Sequence, residues 1–248
     1  MDLTNFIAKG KSASVYRDGD LAIKVFDKEV PKTDVLLEAL NTARVEETGL
    51  SLPAISEVSK VDGSWAITMN YIEGKTLAQL MKEDPDHMED HISKMVDLQL
   101  EIHSKRSPLL NKLKDKMKGQ IESLDIDEIK TYDLLTRLDA MPKHTKVCHG
   151  DFNPRNIIVS KDKLYTLDWI HASQGNASAD AARSYLLFVL EDQKIADLYL
   201  DIFCKKSKTA KIYVQQWLPL VAAAQLAKDR PEERELLLKW MDVVEYQG

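Results

Sequence analysis

Cysteine is scarce in this sequence, with two among 248 residues. Cys148 and Cys204 lie far apart and without metal-ligand spacing, so they provide neither a disulfide framework nor a structural zinc site. Long apolar runs are also missing, because the longest candidate, 217–227, contains Pro219 and Gln225 and is too short to cross a bilayer. The first residues lack a basic segment followed by an apolar core, so we expect no secretory signal and a cytoplasmic location.

Positive charge is not in excess either. The chain has 34 Lys and Arg against 40 Asp and Glu, a net charge of −6. A nucleic-acid surface would need a basic patch to replace counterions, so a nucleic-acid partner is not expected. The acidic balance is compatible with a cationic small molecule but is also ordinary for a cytosolic protein. An apolar content of 44% argues against disorder, and the length allows one large core or two modest lobes.

The first seventy residues have the pattern of short strands separated by turns. The Asp62-Gly63 dipeptide is a strong hairpin signal between two of these strands. One helical pattern, 35–47, interrupts them and ends before Gly49 and Pro53. These runs predict a five-stranded antiparallel sheet with one inserted helix. The predicted strands are Asn5–Ala8, Ser14–Arg17, Leu21–Phe26, Ile55–Lys60 and Ser64–Asn70.

From Thr76 the periodicity becomes helical, apart from one interruption at 146–168 that contains three short apolar runs. The chain is helical again after Asp180, with breaks near Ser207 and Pro231. We therefore expect an amino-terminal lobe at 1–70, a hinge at 71–75 and a mainly helical lobe at 76–248. The helices predicted before the interruption are Leu77–Lys82, His91–Ser104, Leu110–Gln120 and Asp127–Ala140.

The interruption contains the most informative motif. Residues 149–156 read His-Gly-Asp-Phe-Asn-Pro-Arg-Asn, and 167–169 read Leu-Asp-Trp. Phosphoryl transfer needs a group that accepts the proton of the attacking hydroxyl, and hard oxygen ligands for Mg²⁺. Asp151 can supply the first, while Asn156 and Asp168 can supply the second. Asp and Asn are also common turn residues, so the first motif alone leaves an ordinary turn open, and Asp168 at this spacing favours the kinase interpretation.

The amino-terminal sheet provides an independent test. Kinases cover the phosphates with a glycine-rich hairpin, followed by a strand that carries a lysine. Residues 8–15, Ala-Lys-Gly-Lys-Ser-Ala-Ser-Val, keep the central Gly10, and Leu-Ala-Ile-Lys at 21–24 matches the lysine strand. An inward ammonium needs an anionic partner, whereas a lysine that ends a strand at the surface does not. Glu38 is the predicted partner of Lys24, with Glu46 and Glu47 as alternatives.

These motifs resemble the aminoglycoside phosphotransferases and their choline, homoserine and fructosamine kinase relatives. The resemblance covers nearly the whole chain. Residues 41–53 are similar to the helix and turn that precede the fourth strand in this family, and residues 69–74 are similar to its hinge. Residues 180–183 are similar to the start of its carboxy-terminal helical region. It implies an α+β, bilobal protein-kinase-like fold, with an amino-terminal five-stranded antiparallel sheet and a mainly helical second lobe.

The resemblance also implies roles for individual residues. Asp151 would be the catalytic base, with His149 bracing the catalytic loop, and Asn156 and Asp168 would be the magnesium ligands. Asp180 and its expected ion-pair partner Arg183 would be structural. Lys24 would hold the α- and β-phosphates, and the backbone carbonyl of Asn70 and the N–H of Ile72 would meet the adenine. The implied nucleotide-binding residues are Gly10, Ser12, Lys24, Glu38, Met69, Asn70 and Ile72.

Together these patterns predict a Mg²⁺-dependent kinase that transfers phosphate from ATP or GTP to a small hydroxylated acceptor. No association with a membrane is expected. The glycine-rich loop at 8–15 keeps one glycine where the kinase pattern has three. Trp169 stands where protein kinases have Phe-Gly after the metal-binding aspartate. The chain passes from Asp168 to Asp180 without an activation loop, which counts against a protein substrate. A catalytically silent nucleotide-binding scaffold and a helical interaction protein remain the alternatives. Residues 184–248 hold ten acidic and nine basic residues, so no acidic pocket for a polyamine is visible.

Overall fold

A computed structural model describes residues 3–161 and 163–242. The amino-terminal part is a five-stranded antiparallel sheet in the order β1-β2-β3-β5-β4 with one helix, α1, inserted after β3, as the sequence predicts. The strands are β1 (Asn5–Lys9), β2 (Ala13–Asp18), β3 (Leu21–Phe26), β4 (Ile55–Val61), β5 (Ser64–Asn70), β6 (Lys75–Thr76), β7 (Lys146–Cys148), β8 (Ile157–Ser160), β9 (Lys163–Thr166) and β10 (Ser173–Gly175).

Helices dominate the rest of the described chain, which confirms the predicted fold class. Most begin or end within a few residues of their predicted bounds. The helices are α1 (Lys32–Glu46), α2 (Leu77–Glu83), α3 (Met88–Ser104), α4 (Leu113–Glu122), α5 (Glu128–Ala140), α6 (Ala177–Val189), α7 (Gln193–Ser207), α8 (Lys211–Gln215), α9 (Leu218–Leu226) and α10 (Arg234–Met241). Within the described ranges, none of them combines the length and apolarity that crossing a bilayer requires.

By contact density the chain forms two compact units. The first comprises Met1–Pro85 and Pro154–His171, and the second comprises Asp86–Asn153 and Ala172–Gly248. The hairpin of β8 and β9 thus belongs to the first unit, where β6 extends it to a three-stranded sheet in the order β6-β8-β9. The predicted lobe boundary at 71–75 stays a prediction, because these units are regions of dense internal contact rather than separately folding lobes.

The core of the first unit lies between the large sheet and α1. It contains Ala13, Phe26, Val35 and Ile67, all buried. Because successive side chains on a strand point to opposite faces, Lys24 shares a face with Phe26. The ammonium of Lys24 lies 5.2 Å from the centre of the Phe26 ring. The alternation of β3 therefore directs this lysine toward the helix side of the sheet rather than toward its other face.

In the second unit, helix α7 packs on α3 and α6, and α9 packs on α4, α6 and α10. Strands β7 and β10 pair beside them, and β10 has no counterpart in the sequence prediction. Its Ser-Gln-Gly sequence has neither length nor alternation, and close packing holds it instead. A Cβ on Gly175 would lie 2.5 Å from the Cβ of Leu113, so the backbone of β10 rests directly on α4.

The segment predicted as a hinge contains the short strand β6. Lys75 and Thr76 pair with Val159 and Ile158 of β8. The approach is close, because a Cβ on Gly74 would lie 2.3 Å from the carbonyl oxygen of Val159. Two residues are too short a run to be recognised as a strand from sequence, and the pairing partner lies more than 80 residues away along the chain.

Candidate active site

In the first unit, Lys24 lies between two carboxylates. Its Nζ is 2.5 Å from Oε1 of Glu38 and 3.7 Å from Oδ1 of Asp168. Burial pulls the pKa of Lys24 down, but the charges of Asp168 and Glu38 outweigh it and leave the pKa raised. The lysine therefore remains an ammonium, and this part of the chain holds a positive charge where the sequence predicts a phosphate contact.

Helix α1 presents Glu38 on its buried face, between the core residues Val35 and Thr42. Charged side chains are rarely buried without a partner, and Lys24 is that partner. Glu46 and Glu47, the alternatives considered from sequence, are exposed at the end of the helix. Of the three glutamates, the structure brings Glu38 to the lysine.

Asp168 directly follows the β8–β9 hairpin and has a strained backbone. Its φ is +62°, in the left-handed region that non-glycine residues rarely adopt. Two hydrogen bonds hold the neighbouring segment: the N–H of Leu167 donates to the carbonyl of Asn156 at 2.9 Å, and Nδ2 of Asn41 donates to the carbonyl of Ile170 at 3.1 Å. The tertiary structure therefore maintains an unfavourable conformation at this aspartate.

The donor set around Asp168 fits a hard metal ion. Oδ1 of Asp168 is buried and, among the described residues, has no hydrogen-bond partner. Asp168 and Asn156 offer carboxylate and amide oxygens, the ligands that Mg²⁺ prefers. Within the described ranges no group of three His, Cys, Asp or Glu side chains could hold a metal by itself. A Mg²⁺ ion here would take its remaining ligands from water and phosphate, as is usual for this ion.

The predicted nucleotide-contact loop is a tight turn between β1 and β2. The N–H of Gly10 donates to the carbonyl of Ala13 at 2.8 Å, and the carbonyl of Ser12 accepts from the N–H of Asp27 at 2.9 Å. Gly10 and Ser12 themselves are exposed. The loop is thus anchored at its base and open at its tip.

At the predicted adenine contact, β5 ends and the chain leaves the sheet. Met69 is half-buried opposite Ala22 on β3, and the N–H of Asn70 donates to the carbonyl of Ala54 at 3.1 Å. Over the stretches that the structure describes, the N–H of Ile72 enters no backbone hydrogen bond. The N–H of Ile72 is consistent with the predicted contact to a base. The N–H of Asn70 is used by Ala54, but the predicted contact of Asn70 is through its carbonyl.

In the second unit, Asp151 lies in the loop after β7 and its side chain is 27% exposed. Nδ2 of Asn153 donates to the Asp151 carbonyl at 2.9 Å and to its Oδ2 at 3.3 Å. On the other side of the carboxylate, a guanidinium nitrogen of Arg183 lies 3.8 Å from Oδ1. The carboxylate is held from two sides and still reaches solvent, as a general base must.

Asp180, on helix α6, anchors the loop that contains Asp151. It is buried and accepts hydrogen bonds from Nε2 of His103 at 2.9 Å, from the N–H of His149 at 3.2 Å and from the N–H of Gly150 at 2.7 Å. Burial alone would raise the pKa of Asp180, but these donors, led by His103, lower it. Gly150 has φ = +79°, so the flexible residue expected beside the base adopts a left-handed conformation.

The expected ion pair between Asp180 and Arg183 is wrong. His103 of α3 is the partner of Asp180, and Arg183, one turn further along α6, forms its ion pair with Asp151. A spacing of three residues on a helix suggests a pair, but the tertiary structure offers each side chain a better partner. Sequence reasoning missed His103, which stands in no motif, and it assigned no role to Asn153, which lies within the 149–156 motif.

His149 is fully buried and packs edge-on against Phe152, with 5.7 Å between ring centres. Its Nδ1 accepts a hydrogen bond from the N–H of Asp151 at 3.3 Å. A buried imidazole that bonds to the backbone of its own loop is suited to holding that loop in shape. This geometry supports the bracing role that the resemblance implies.

Replacing Asp180 with asparagine is expected to destabilise the protein by about 2–3 kcal/mol at pH 7, because buried donors then lose a charged acceptor. The lowered pKa of Asp180 stabilises the folded state above the unfolded pKa near 3.8 and ceases to do so as pH falls through the folded pKa. Urea denaturation at pH 7 and at pH 3 would measure both effects. Equal destabilisation by Asp180→Asn at pH 7 and at pH 3 would contradict a role for the charged carboxylate. Asp125→Asn, in an exposed loop, serves as the control.

The sequence pattern of the phosphotransferase enzyme family matches residues 4–220. This chain belongs to the phosphotransferase enzyme family. The match spans the glycine loop, the Lys24 strand, both motifs of the interruption and most of the carboxy-terminal helices. No curated protein matches this family member by sequence.

Solved structures of aminoglycoside phosphotransferases share the fold of this phosphotransferase family member. A thermostable mutant of aminoglycoside phosphotransferase APH(4)-Ia superposes with a TM-score of 0.68 at 12% identity, over 97% of this chain and 91% of that one. ADP-bound aminoglycoside phosphotransferase APH(2'')-Ib superposes with a TM-score of 0.60 at 17% identity, over 95% of this chain and 89% of that one. A choline/ethanolamine kinase family protein from Mesorhizobium loti superposes with a TM-score of 0.61 at 14% identity, over 99% of this chain and 90% of that one. The protein-kinase-like fold predicted from the motifs is thereby confirmed.

Proposed function

We propose that this protein is a small-molecule kinase that transfers the γ-phosphoryl group of ATP or GTP to a hydroxyl group of its acceptor. The observation that carries the proposal is the arrangement of Lys24, Glu38 and Asp168, in which an ammonium lies between a buried and a partly exposed carboxylate. The structural neighbour APH(4)-Ia forms a ternary complex with ADP and hygromycin B. That complex supports a nucleotide donor and a small acceptor for a chain of the same family.

The first unit would bind the nucleotide. Lys24, oriented by Glu38, would neutralise the α- and β-phosphates. Asp168 and Asn156 would hold Mg²⁺, which when bound supplies positive charge to the β- and γ-phosphates. The buried Oδ1 of Asp168 supports this role, because a buried carboxylate oxygen without a hydrogen bond is otherwise costly. Gly10 and Ser12 would cover the phosphates, and Met69, Asn70 and Ile72 would contact the base.

Asp151 would act as the base. Its carboxylate accepts the proton of the acceptor hydroxyl as the oxygen attacks the γ-phosphorus, and the nucleoside diphosphate leaves. Asn153 and Arg183 limit the orientations of this carboxylate. His149 and Asp180 hold the loop backbone, so that little reorganisation is needed during the reaction.

A catalytically silent nucleotide-binding scaffold is the second candidate. Such a scaffold would usually have lost the residues proposed as base, metal ligands or phosphate-binding lysine, and all of these are present in the sequence.

The function is tested with purified protein, Mg·ATP or Mg·GTP, and a panel of aminoglycosides, amino alcohols and sugars. We expect Mg²⁺-dependent nucleotide binding by calorimetry and a phosphate ester product by mass spectrometry. Asp168→Asn should weaken binding of the Mg²⁺-nucleotide by about tenfold or more, equal to ~1.4 kcal/mol. Asp34→Asn on the exposed start of α1 should change nothing. Nucleotide binding without transfer to any compound would favour the scaffold.

A further inference from the structure

Several cationic side chains of the second unit surround Asp151. Arg183 of α6 forms its ion pair, and the ammonium groups of Lys116 on α4 and Lys228 after α9 interact with both Asp151 and Arg183. Helix α9 packs against both α4 and α6, which explains how residues from three elements reach one place. Arg230 adds a fourth positive charge beside Lys228 and Arg183.

The acidic groups of this region are committed to other partners. Asp180 binds His103 and two loop N–H groups. Glu233 binds Arg230 at 2.8 Å and also accepts a hydrogen bond from Gln225. Asp151 is then the acidic group that faces Lys116, Arg183 and Lys228 together. With Arg230 counted among the cations, and Asp180 and Glu233 counted beside Asp151, four cationic side chains of this region face three acidic ones.

The lysines show the effect of this crowding. Burial, followed by the repulsion of Arg183, lowers the pKa of Lys116 to about 8 and that of Lys228 to about 7. The nearby carboxylates, Asp151 for both lysines and Asp180 for Lys116, act in the opposite direction without cancelling the effect. Partly desolvated ammonium groups that repel one another are stabilised when an anion enters between them.

The structure assigns an anionic acceptor to this protein: a small hydroxylated molecule whose carboxylate or phosphate group binds Lys116, Arg183 and Lys228 beside Asp151. This inference rests on the proposed kinase function, because it places the reacting hydroxyl at Asp151. The sequence left a cationic acceptor open, and a polyamine brought to this cluster would be repelled. Residues 184–248 hold ten acidic and nine basic residues, so their composition does not favour a cationic acceptor either.

The test measures binding directly, so that it does not depend on finding the natural acceptor. Calorimetry with Mg·ADP present compares glycerol 3-phosphate, D-glycerate, glycerol and hygromycin B. We expect both anions to bind at least ten times more tightly than glycerol, and the tighter of the two identifies phosphate or carboxylate as the preferred group. Binding of hygromycin B without binding of either anion, or binding of no probe, would overturn the assignment.

Two double variants make the test specific. Lys116→Gln with Lys228→Gln removes two charges from the cluster and should weaken anion binding at least tenfold. Lys118→Gln with Lys239→Gln removes two exposed charges from α4 and α10 and should leave it unchanged. Equal effects of the two would show a nonspecific dependence on net charge and would refute the cluster. Failure of Mg·ADP to bind counts against the kinase function, whereas loss of anion binding alone counts against this inference.

The pH dependence gives a second readout. Affinity for D-glycerate, whose carboxylate stays ionised throughout, should fall as pH rises past 7 and 8, since Lys228 and then Lys116 lose their protons. The lowered pKa values also mean that these ammonium groups destabilise the fold below pH 7, an effect that disappears as pH rises toward 10.5. The cluster variant should therefore be more stable than wild type at pH 6 while binding the anion less well. A less stable variant would indicate a structural role instead.

Discussion

Replacing Asp151 with asparagine is expected to reduce phosphoryl transfer by about a thousandfold, within the 10²- to 10⁴-fold range of a general base. Asparagine keeps the size of the side chain but cannot accept the proton of the attacking hydroxyl. Because the residues proposed to contact the nucleotide lie in the first unit, affinity for Mg·ATP should stay unchanged. Initial rates with the best acceptor of the panel, together with calorimetry of Mg·ATP binding, measure the two effects separately.

The fold should tolerate this change, since the Asp151 side chain reaches solvent and the loop is anchored by Asp180. Circular dichroism and the thermal midpoint of Asp151→Asn serve as the check, and Asp125→Asn, exposed between α4 and α5, is the matched control. Full turnover in Asp151→Asn would eliminate the proposed mechanism. Loss of turnover with loss of the folded state would be resolved with Asp151→Glu, which restores a carboxylate in a shifted position.

Replacing Lys24 with methionine is expected to impair both stability and nucleotide binding. The change leaves Glu38, whose side chain is 6% exposed, beside Asp168 without a positive charge between them. Removing one partner of a buried ion pair typically costs about 3–5 kcal/mol. Denaturant unfolding measures the stability, and calorimetry with Mg·ATP measures the affinity, which should fall at least about tenfold for a loss of ~1.4 kcal/mol.

A double variant separates the two effects. Lys24→Met with Glu38→Gln removes both charges of the pair, so much of the lost stability should return while nucleotide affinity stays low. Lys75→Met, which breaks an exposed pair with Glu83 in the same unit, should cost no more than about 1 kcal/mol. If the double variant regained full affinity, Lys24 would act only in folding and the proposed phosphate contact would be wrong.

The fold was predictable where the pattern is local. Strands β3 and β5 coincide with their predicted bounds, because alternation and flanking turns mark both ends. Helix α6 begins at Ala177, before the predicted start at Asp180, because the side chain of Asn176 caps its first turn. Helix α4 begins at Leu113 rather than Leu110, and α3 at Met88 rather than His91. Errors of this size arise where helix ends depend on caps and packing.

The residues of the candidate site that belong to sequence motifs were predictable. Lys24, Glu38 and Asp168 come together in the first unit, and Gly150 beside Asp151 has the left-handed φ that glycine adopts without strain. His103, Lys116 and Lys228 carry no sequence signal, since each is an ordinary residue on or near an amphipathic helix. They acquire significance through neighbours that lie far away along the chain.

The amino-acid sequence by itself determined the class of fold and the chemical groups available, because strand alternation, helical periodicity and the spacing within a loop are short-range properties. Only the tertiary structure decided which charges became partners. It assigned Asp180 to His103 and Arg183 to Asp151, and it brought together Lys116 of α4 and Lys228 of the turn after α9. The physical reason is that a charge selects its partner by distance and desolvation in the folded chain, and neither quantity is encoded in residue spacing.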